Sequence, residues 1–214
     1  MRSTLCFFLI LLLASFARAQ DFQQWNEIDL TASWRKAGFL IPLLARTDSS
    51  LPNPQLAATG VLADMRLPAH LTLTAGYLFA DLPQASYKVH VPLIALTPTF
   101  HLGRLTIADR NRFEKLVGYP TDPVRYRNRL LVDCPFGPRE RWHVFTDDEI
   151  FFNLTAADWN QNRFQAGGGA RLSQRLDLDV YYLQKNPAGN APVTHVLGTT
   201  LTIGLRPRPR ENLD

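Results

Sequence analysis

The chain has 214 residues, of which 46% are hydrophobic and 20% are charged, with 15 Pro, 12 Gly and 2 Cys. This composition is that of one folded domain, and it excludes a disordered or collagen-like chain. The formal net charge is +4, and it falls to +2 when Arg2 and Arg18 are left out as part of a leader. So small an excess of positive charge gives no reason to expect a nucleic-acid partner.

Residues 1–19 predict a secretory signal peptide. Arg2 supplies the positive start, residues 5–16 form an uncharged apolar run, and residues 17–19 (Ala-Arg-Ala) match the small-residue pattern of a cleavage site. The apolar run is too short for a bilayer-spanning helix, which needs about 20 residues. We therefore expect an exported protein that is cleaved after residue 19.

Period-two alternation of apolar and polar residues is the main signal along the rest of the chain, and it predicts β-strands. In residues 71–79, for example, leucine, alanine and aromatic residues share one face while threonine and glycine share the other. Residues 176–182 alternate in the same way, and no window predicts a helix. The glycines at 167–169 predict a bend or a close approach of backbone inside the barrel wall. The predicted strands are 23–34, 38–46, 55–66, 71–81, 87–100, 105–116, 124–134, 142–153, 161–173, 176–185 and 193–205.

The connections between these strands alternate between tight turns, as at 102–104, and longer loops, as at 118–123. Short turns at one end and longer loops at the other are typical of an outer-membrane barrel. We therefore predict an all-β fold, a single antiparallel β-barrel of the transmembrane type with about 10–12 strands. The sequence offers eleven segments, but single-chain bacterial barrels have even strand numbers, so we expect ten or twelve.

The number of strands indicates which face points inward. A barrel of ten or more strands encloses a lumen that side chains fill poorly unless it is polar and wet. An arginine that faced hydrocarbon at the midplane would cost about 2–4 kcal/mol. We therefore place inside the barrel the charged residues that recur at alternate strand positions: Glu27, Asp29, Arg110, Arg112, Glu114, Arg125, Arg127, Arg129, Glu149, Arg163 and Arg171.

This charge ladder has two interpretations. In the first, the arginines and carboxylates pair across the lumen and only make the barrel rigid. In the second, the arginines bind an anionic solute or set the anion preference of a pore. Aromatic residues near strand ends are expected to form interfacial girdles. They are Trp25, Trp34, Tyr77, Phe79, Trp142, Phe152, Trp159 and Tyr182.

Several stretches, taken in order, resemble the bacterial family called domain of unknown function 2490 over essentially the whole mature chain. They are Gln24-Trp25-Asn26-Glu27, His90-Val91-Pro92 and residues 107–114 (IADRNRFE), 125–129 (RYRNR), 148–152 (DEIFF), 160–164 (NQNRF) and 179–183 (DVYYL). The resemblance implies an uncharacterised outer-membrane-type β-barrel with no assigned activity and no catalytic residue to carry over. Such chains commonly end on an aromatic strand residue, whereas the last predicted strand here ends at Leu205.

We expect residues 20–205 to form a barrel in the outer membrane of a Gram-negative bacterium, with a disordered polar tail at 206–214. Its partners would be outer-membrane lipid and, during biogenesis, the barrel assembly machinery.

The leading interpretation is a porin-like, non-enzymatic barrel whose Arg-rich lumen passes or binds small anions. The alternatives are a non-conducting structural or surface-interaction barrel and an outer-membrane lipid-modifying enzyme. A soluble periplasmic barrel is the second candidate for localisation, and the non-aromatic end of the last strand favours it.

No pattern predicts catalysis, a cofactor or a metal site. The histidines are scattered without a pair at ligand spacing: His70, His90, His101, His143 and His195. Neither His90 nor His195 has a serine at a spacing typical of a nucleophile and its base. Residues 147–149 are acidic, but neighbours in a strand point to opposite faces, and the run lacks a calcium-loop pattern. Cys6 leaves with the leader, so Cys134 is expected to form no disulfide within the chain.

Overall fold

The computed structural model describes residues 22–48 and 54–206; the predicted signal peptide (1–19) and residues 207–214 of the predicted tail lie outside these ranges. Within them the chain forms eleven strands and two short 3-10 helices. The strands are β1 (Phe22–Ser33), β2 (Ala37–Asp48), β3 (Pro54–Leu67), β4 (Leu71–Leu82), β5 (Tyr87–Leu102), β6 (Leu105–Lys115), β7 (Val124–Phe136), β8 (Trp142–Asn153), β9 (Asp158–Arg171), β10 (Leu176–Pro187) and β11 (Thr194–Gly204). The 3-10 helices are Pro83–Ala85 and Pro138–Glu140. In the part of the chain that is described, no helix is long and apolar enough to cross a membrane.

The described strands form one closed barrel, which confirms the predicted all-β fold. Each strand pairs antiparallel with the next one along the chain, and β1 closes the barrel by pairing parallel with β11. The expectation of ten or twelve strands is therefore wrong, and the eleven segments found in the sequence are the strands. An odd number of hairpin-connected strands leaves the first and last parallel. Their pairing still satisfies the backbone groups of both edges.

Successive hairpins alternate between two ends of the barrel, which we call the short-turn end and the long-loop end. Turns after odd-numbered strands form the short-turn end, where the shortest is 103–104. Loops after even-numbered strands form the long-loop end, where 116–123 is the longest that is described. The predicted asymmetry is present, although turn 137–141 at the short-turn end exceeds loop 154–157. Because β1 and β11 run in the same direction, Phe22 and Gly204 lie at opposite ends of the barrel.

The outer face of the barrel is largely apolar. Each described strand presents on this face at least one large hydrophobic residue that is 39–51% exposed: Ile28, Phe39, Val61, Tyr77, Ile94, Phe113, Leu130, Val144, Phe164, Val180 and Leu197. These residues alternate along their strands with residues that point into the lumen. An apolar exterior on every strand is the surface that a lipid-facing barrel requires.

A hydrogen-bonded row of polar residues interrupts this apolar face on β6–β10. The members of this outer polar row are Asp109, Asn111, Tyr126, Asn128, Asp148, Asn162 and Asn186. The Asn111 side-chain oxygen accepts hydrogen bonds from the Tyr126 hydroxyl at 2.6 Å and from Asn128 at 3.3 Å. Asn162 donates to Asp148 at 2.6 Å. Mutual hydrogen bonds offset part of the cost of placing these groups on an apolar surface.

The aromatic residues divide between the two faces. Trp34, Tyr77, Trp142 and Trp159 are 40–47% exposed on the outside, where the predicted girdles would lie. Trp25 is a correction to that prediction, because it points into the lumen and is only 8% exposed. It shares its face of β1 with the charged residues of that strand, and alternation alone therefore argued against an outward position.

Candidate functional site in the lumen

The lumen contains a cavity of about 700 Å³ that brings together most of the predicted charge ladder. Nine of its eleven members line this cavity: Glu27, Arg110, Arg112, Glu114, Arg125, Arg127, Arg129, Glu149 and Arg163. Asp29 lies two residues closer to the short-turn end on the same face of β1 and does not line the cavity. Arg171 lies at the short-turn rim, where its Nε is 4.0 Å from Asp177.

Glu114 on β6 is the centre of the first ion-pair cluster. Its side chain is fully buried, 2.7 Å from Arg112 and 3.4 Å from Arg127, and it also accepts a hydrogen bond from Arg125. These groups meet because Glu114 is opposite Arg125, and Arg112 opposite Arg127, in the β6–β7 register. One carboxylate therefore offsets the repulsion among three neighbouring guanidinium groups.

Glu149 on β8 is the centre of the second cluster. It accepts a hydrogen bond from Arg110 at 2.6 Å and from Arg127 at 2.8 Å. Arg127 therefore joins the two carboxylates, and the network runs without interruption from β6 across β7 to β8. Asp147, the third acidic residue on this side of the lumen, lies two residues from Glu149 on the same face and also lines the cavity.

Phe151 lies at the centre of the arginine side of the lumen. It is fully buried, and the guanidinium carbons of Arg125, Arg127 and Arg163 are 5.3, 4.5 and 4.3 Å from its ring centroid. The electron-rich ring face is attractive to each cation. Phe151 was not predicted from the sequence, although it lies two residues from Glu149 and therefore on the same face of β8.

Two arginines lie over the ring of Trp25. The guanidinium carbon of Arg46 lies 3.7 Å from a Trp25 ring centroid, and that of Arg163 lies 5.1 Å from it. With the Gln161 amide oriented to accept, Arg163 also donates to that side-chain oxygen at 2.7 and 2.8 Å. Arg46 was absent from the predicted ladder because it is an isolated charge in an apolar strand. Its position therefore carried no period-two charge signal.

Positive charge exceeds negative charge around the cavity. Among the described residues that line it, eight are basic and four are acidic. Arg46, Arg129 and Arg163 make no ion pair within the described ranges, and the Nε groups of Arg46 and Arg129 are buried without a hydrogen-bond partner there. A concave site with more cations than carboxylates and partly apolar walls concentrates positive potential.

Packed side chains fill part of the lumen on the side of β1, β10 and β11. Tyr181, Trp25, Leu183 and Val196 form a buried cluster against which Phe145 packs. Gly198, opposite the Tyr181 ring, makes this packing possible, because a Cβ at that position would lie 2.0 Å from a ring carbon. These side chains leave less open space beside Trp25 on the β10–β11 side of the lumen.

His143 lies inside the barrel near the short-turn end, between two carboxylates. Its Nδ1 is 2.6 Å from Asp133 and its Nε2 is 2.9 Å from Asp179, so the imidazole links β7, β8 and β10. A Cβ at Gly169 would lie 2.1 Å from His143 Nε2. The close approach predicted for the glycines at 167–169 is thus confirmed.

The cavity is polar on one side only, which corrects the expectation of a polar and wet interior. The lumen-facing residues of β2–β5 that line the cavity are apolar except for Arg46, and we call the others the apolar wall. They are Leu40, Pro42, Leu44, Leu56, Ala58, Leu62, Leu78, Ala80, Leu82, Val89 and Val91. The signal was present in the sequence, because residues 39–45 (FLIPLLA) are apolar on both faces.

The remaining candidates for chemistry do not converge. His90 contacts the Tyr77 hydroxyl and His195 contacts the Tyr182 hydroxyl, on the outer face. Within residues 22–48 and 54–206, no group of three or more His, Cys, Asp and Glu residues could hold a metal ion. The absence of enzymatic activity and of a cofactor stays a prediction.

Comparison with known proteins identifies a family for this chain. No curated protein matches the sequence. The sequence profile of a family described as "Protein of unknown function (DUF2490)" matches residues 22–194, which include β1–β10 and the whole arginine side of the lumen. The chain therefore belongs to the DUF2490 family, as its motifs indicated.

Proposed function

We propose that this protein is an outer-membrane barrel whose lumen binds small anionic solutes. The observation that carries the proposal is the charge balance of the cavity, with eight basic and four acidic lining residues. Three of those arginines, Arg46, Arg129 and Arg163, have no carboxylate partner among the described residues. The apolar exterior of every strand supports the membrane location.

Arginine is suited to this role. Its planar guanidinium stays charged and offers five N–H donors, which can bind carboxylate or phosphate oxygens in pairs. In the lumen, Glu114 and Glu149 pair with Arg110, Arg112, Arg125 and Arg127, while Arg46 and Arg163 flank Trp25. Arg46 and Arg163 can therefore donate hydrogen bonds to an anion while the ion pairs of Glu114 and Glu149 stay intact.

Calorimetric titration of the refolded protein with inorganic phosphate tests this proposal. Replacing Arg46, Arg129 and Arg163 together by glutamine leaves the Glu114 and Glu149 clusters in place. We expect it to weaken phosphate binding at least about tenfold, since one hydrogen bond to a charged group contributes roughly 1.5–3 kcal/mol.

A matched control removes the same amount of charge outside the lumen. Arg35, Lys36 and Arg104 lie exposed in the short turns, and their replacement by glutamine should leave phosphate binding unchanged. Planar-bilayer recordings add a second measurement, because a lumen open to both sides should carry a current with anion preference. Absence of both phosphate binding and anion-selective current would overturn the proposal.

A structural barrel is the second candidate, and the ion-pair network favours it. Five contacts among Arg110, Arg112, Arg125, Arg127 and the two glutamates Glu114 and Glu149 already satisfy much of the arginine side. The outer polar row, in turn, favours the soluble periplasmic alternative. Recovery of the mature protein in the soluble periplasmic fraction, with no heat-dependent gel mobility, would contradict the membrane location.

A further inference from the structure

The apolar wall faces the same cavity as the unpaired arginines. Along β2, the alternate residues Arg46, Leu44, Pro42 and Leu40 all line it, so one strand presents a cation followed by three apolar side chains. At about 3.3 Å per residue, the distance from Arg46 to Leu40 along the strand is roughly 20 Å. The wall thus starts at the cation and runs toward the short-turn end.

Neighbouring strands widen this apolar surface. Ala58 on β3 is the cross-strand partner of Leu44, and Leu62 is the partner of Leu40. Leu78 on β4 lines the same side of the cavity. On the β2–β3 side, the cavity therefore extends past Arg46 to Leu40 and Leu62, whereas packed side chains fill the lumen around Tyr181 on β10.

A water-filled lumen gives no reason for such a wall, because barrel interiors that hold water are normally polar. Binding sites for small molecules, by contrast, are mostly apolar, contain a few polar groups that orient the ligand, and measure about 300–1,000 Å³. The cavity measures about 700 Å³ and has this composition. Of its cations, only Arg46 lies on the strands that form the apolar wall, and the others lie on β6, β7, β9 and β10.

We propose that the lumen binds a single-chain amphiphile with an anionic head, the head on Arg46 and Arg163 beside Trp25 and the chain along the apolar wall. This inference rests on the proposed anion-binding function and names its ligand class. The two guanidinium groups supply paired donors for a carboxylate or phosphate. Burying the chain against Leu40, Leu44 and the neighbouring wall residues removes apolar surface from water and so supplies affinity that a small anion lacks.

Trp25 is a local reporter for this site. A variant that keeps Trp25 and replaces Trp34, Trp142 and Trp159 by phenylalanine has its only tryptophan in the lumen. Brominated decanoate quenches tryptophan on contact, so its binding to the full mature chain, refolded in lipid nanodiscs, should quench Trp25 saturably. Unlabelled decanoate should relieve the quenching at least about tenfold more effectively than decanol or acetate. Decyl phosphate, as a further competitor, distinguishes a phosphate head from a carboxylate head.

Two changes on the wall test where the chain lies. Ala58→Phe should fill the space beside Leu44 and weaken decanoate binding about tenfold or more, while phosphate binding persists. Ala57→Phe, which adds the same ring on the outer face, is the matched control and should bind as wild type. Leu44→Gln, similar in size to leucine, replaces Ala58→Phe if that variant does not show the heat-dependent mobility of a folded barrel.

The head position is tested separately. Arg46→Gln with Arg163→Gln should weaken both decanoate and phosphate, whereas Arg35→Gln with Lys36→Gln should weaken neither. If phosphate binds but decanoate binds no better than acetate, or binds equally well to Ala58→Phe and Leu44→Gln, this inference is wrong and the proposed function stands. If neither phosphate nor decanoate binds, this inference is wrong, and the proposed function is wrong as well if planar-bilayer recordings show no anion-selective current.

Discussion

Replacing Glu114 by glutamine removes the one negative charge that three arginines share in the lumen. Arg127 keeps its contact with Glu149, but Arg112 and Arg125 lose their only carboxylate among the described residues. Removing one member of a buried ion pair costs about 3–5 kcal/mol, because the partner charge stays buried without compensation. The amide oxygen of glutamine still accepts one hydrogen bond, so we expect a loss near the lower limit, about 3 kcal/mol.

Urea titration of the refolded barrel measures this loss, with tryptophan fluorescence and heat-dependent gel mobility as independent probes of folding. Glu140→Gln is the control, because Glu140 is exposed in the 3-10 helix of turn 137–141 and makes no ion pair with described residues. A second change, Arg112→Gln, made together with Glu114→Gln, should recover part of the lost stability by removing an unpaired cation. A Glu114→Gln variant within about 1 kcal/mol of wild type would refute the argument that this carboxylate holds the arginine side together.

Gly169→Ala should lower the free energy of unfolding by about 1–3 kcal/mol, because its Cβ would separate the imidazole and carboxylate beside it; Gly38→Ala, whose Cβ meets no atom nearer than 3.6 Å, should change it little in the same urea titration. Asp148→Leu removes an exposed carboxylate from the outer face, so it should raise stability in lipid bilayers if the barrel is embedded; an unchanged or lower stability there would favour the periplasmic location. Single cysteines at Lys36 and Ala188, in a cysteine-free background, lie at opposite ends of the barrel. An impermeant maleimide added to intact cells should label only one of them, and equal labelling would contradict a membrane-spanning barrel.

Local alternation was sufficient to find the strands. All eleven predicted segments overlap the eleven described strands, and β8 has the predicted bounds, 142–153. The main departure is β9, which begins at Asp158 instead of residue 161 because a bulge at Phe151/Phe152 shifts the register of the β8–β9 pair. Alternation succeeds because each strand residue turns its side chain to the face opposite that of its neighbour, and no distant contact is needed to produce that pattern.

General rules about barrels predicted the strand number and the lumen less reliably than the local residue pattern did. The even-number rule argued against the eleven segments, and the parallel pairing of β1 with β11 made that rule inapplicable. The rule that a wide lumen is polar hid the apolar wall, although residues 39–45 show apolar side chains on both faces. Trp25 was assigned to an outer girdle because it lies near a strand end. It is, however, two residues from Glu27, so both side chains lie on the same face of β1.

Taken alone, the sequence determined the positions of the strands, the alternation of their faces and the inward ladder of charges on β6 and β7, since these depend on neighbours along the chain. Tertiary structure alone decided which side chains meet across the lumen. Arg46 on β2 and Arg163 on β9 both lie on Trp25 of β1, and the apolar wall shares one cavity with the arginines. Those contacts depend on the register of every hairpin and on the pairing that closes the barrel. A shift of one residue in any register would turn a strand's side chains to the opposite face.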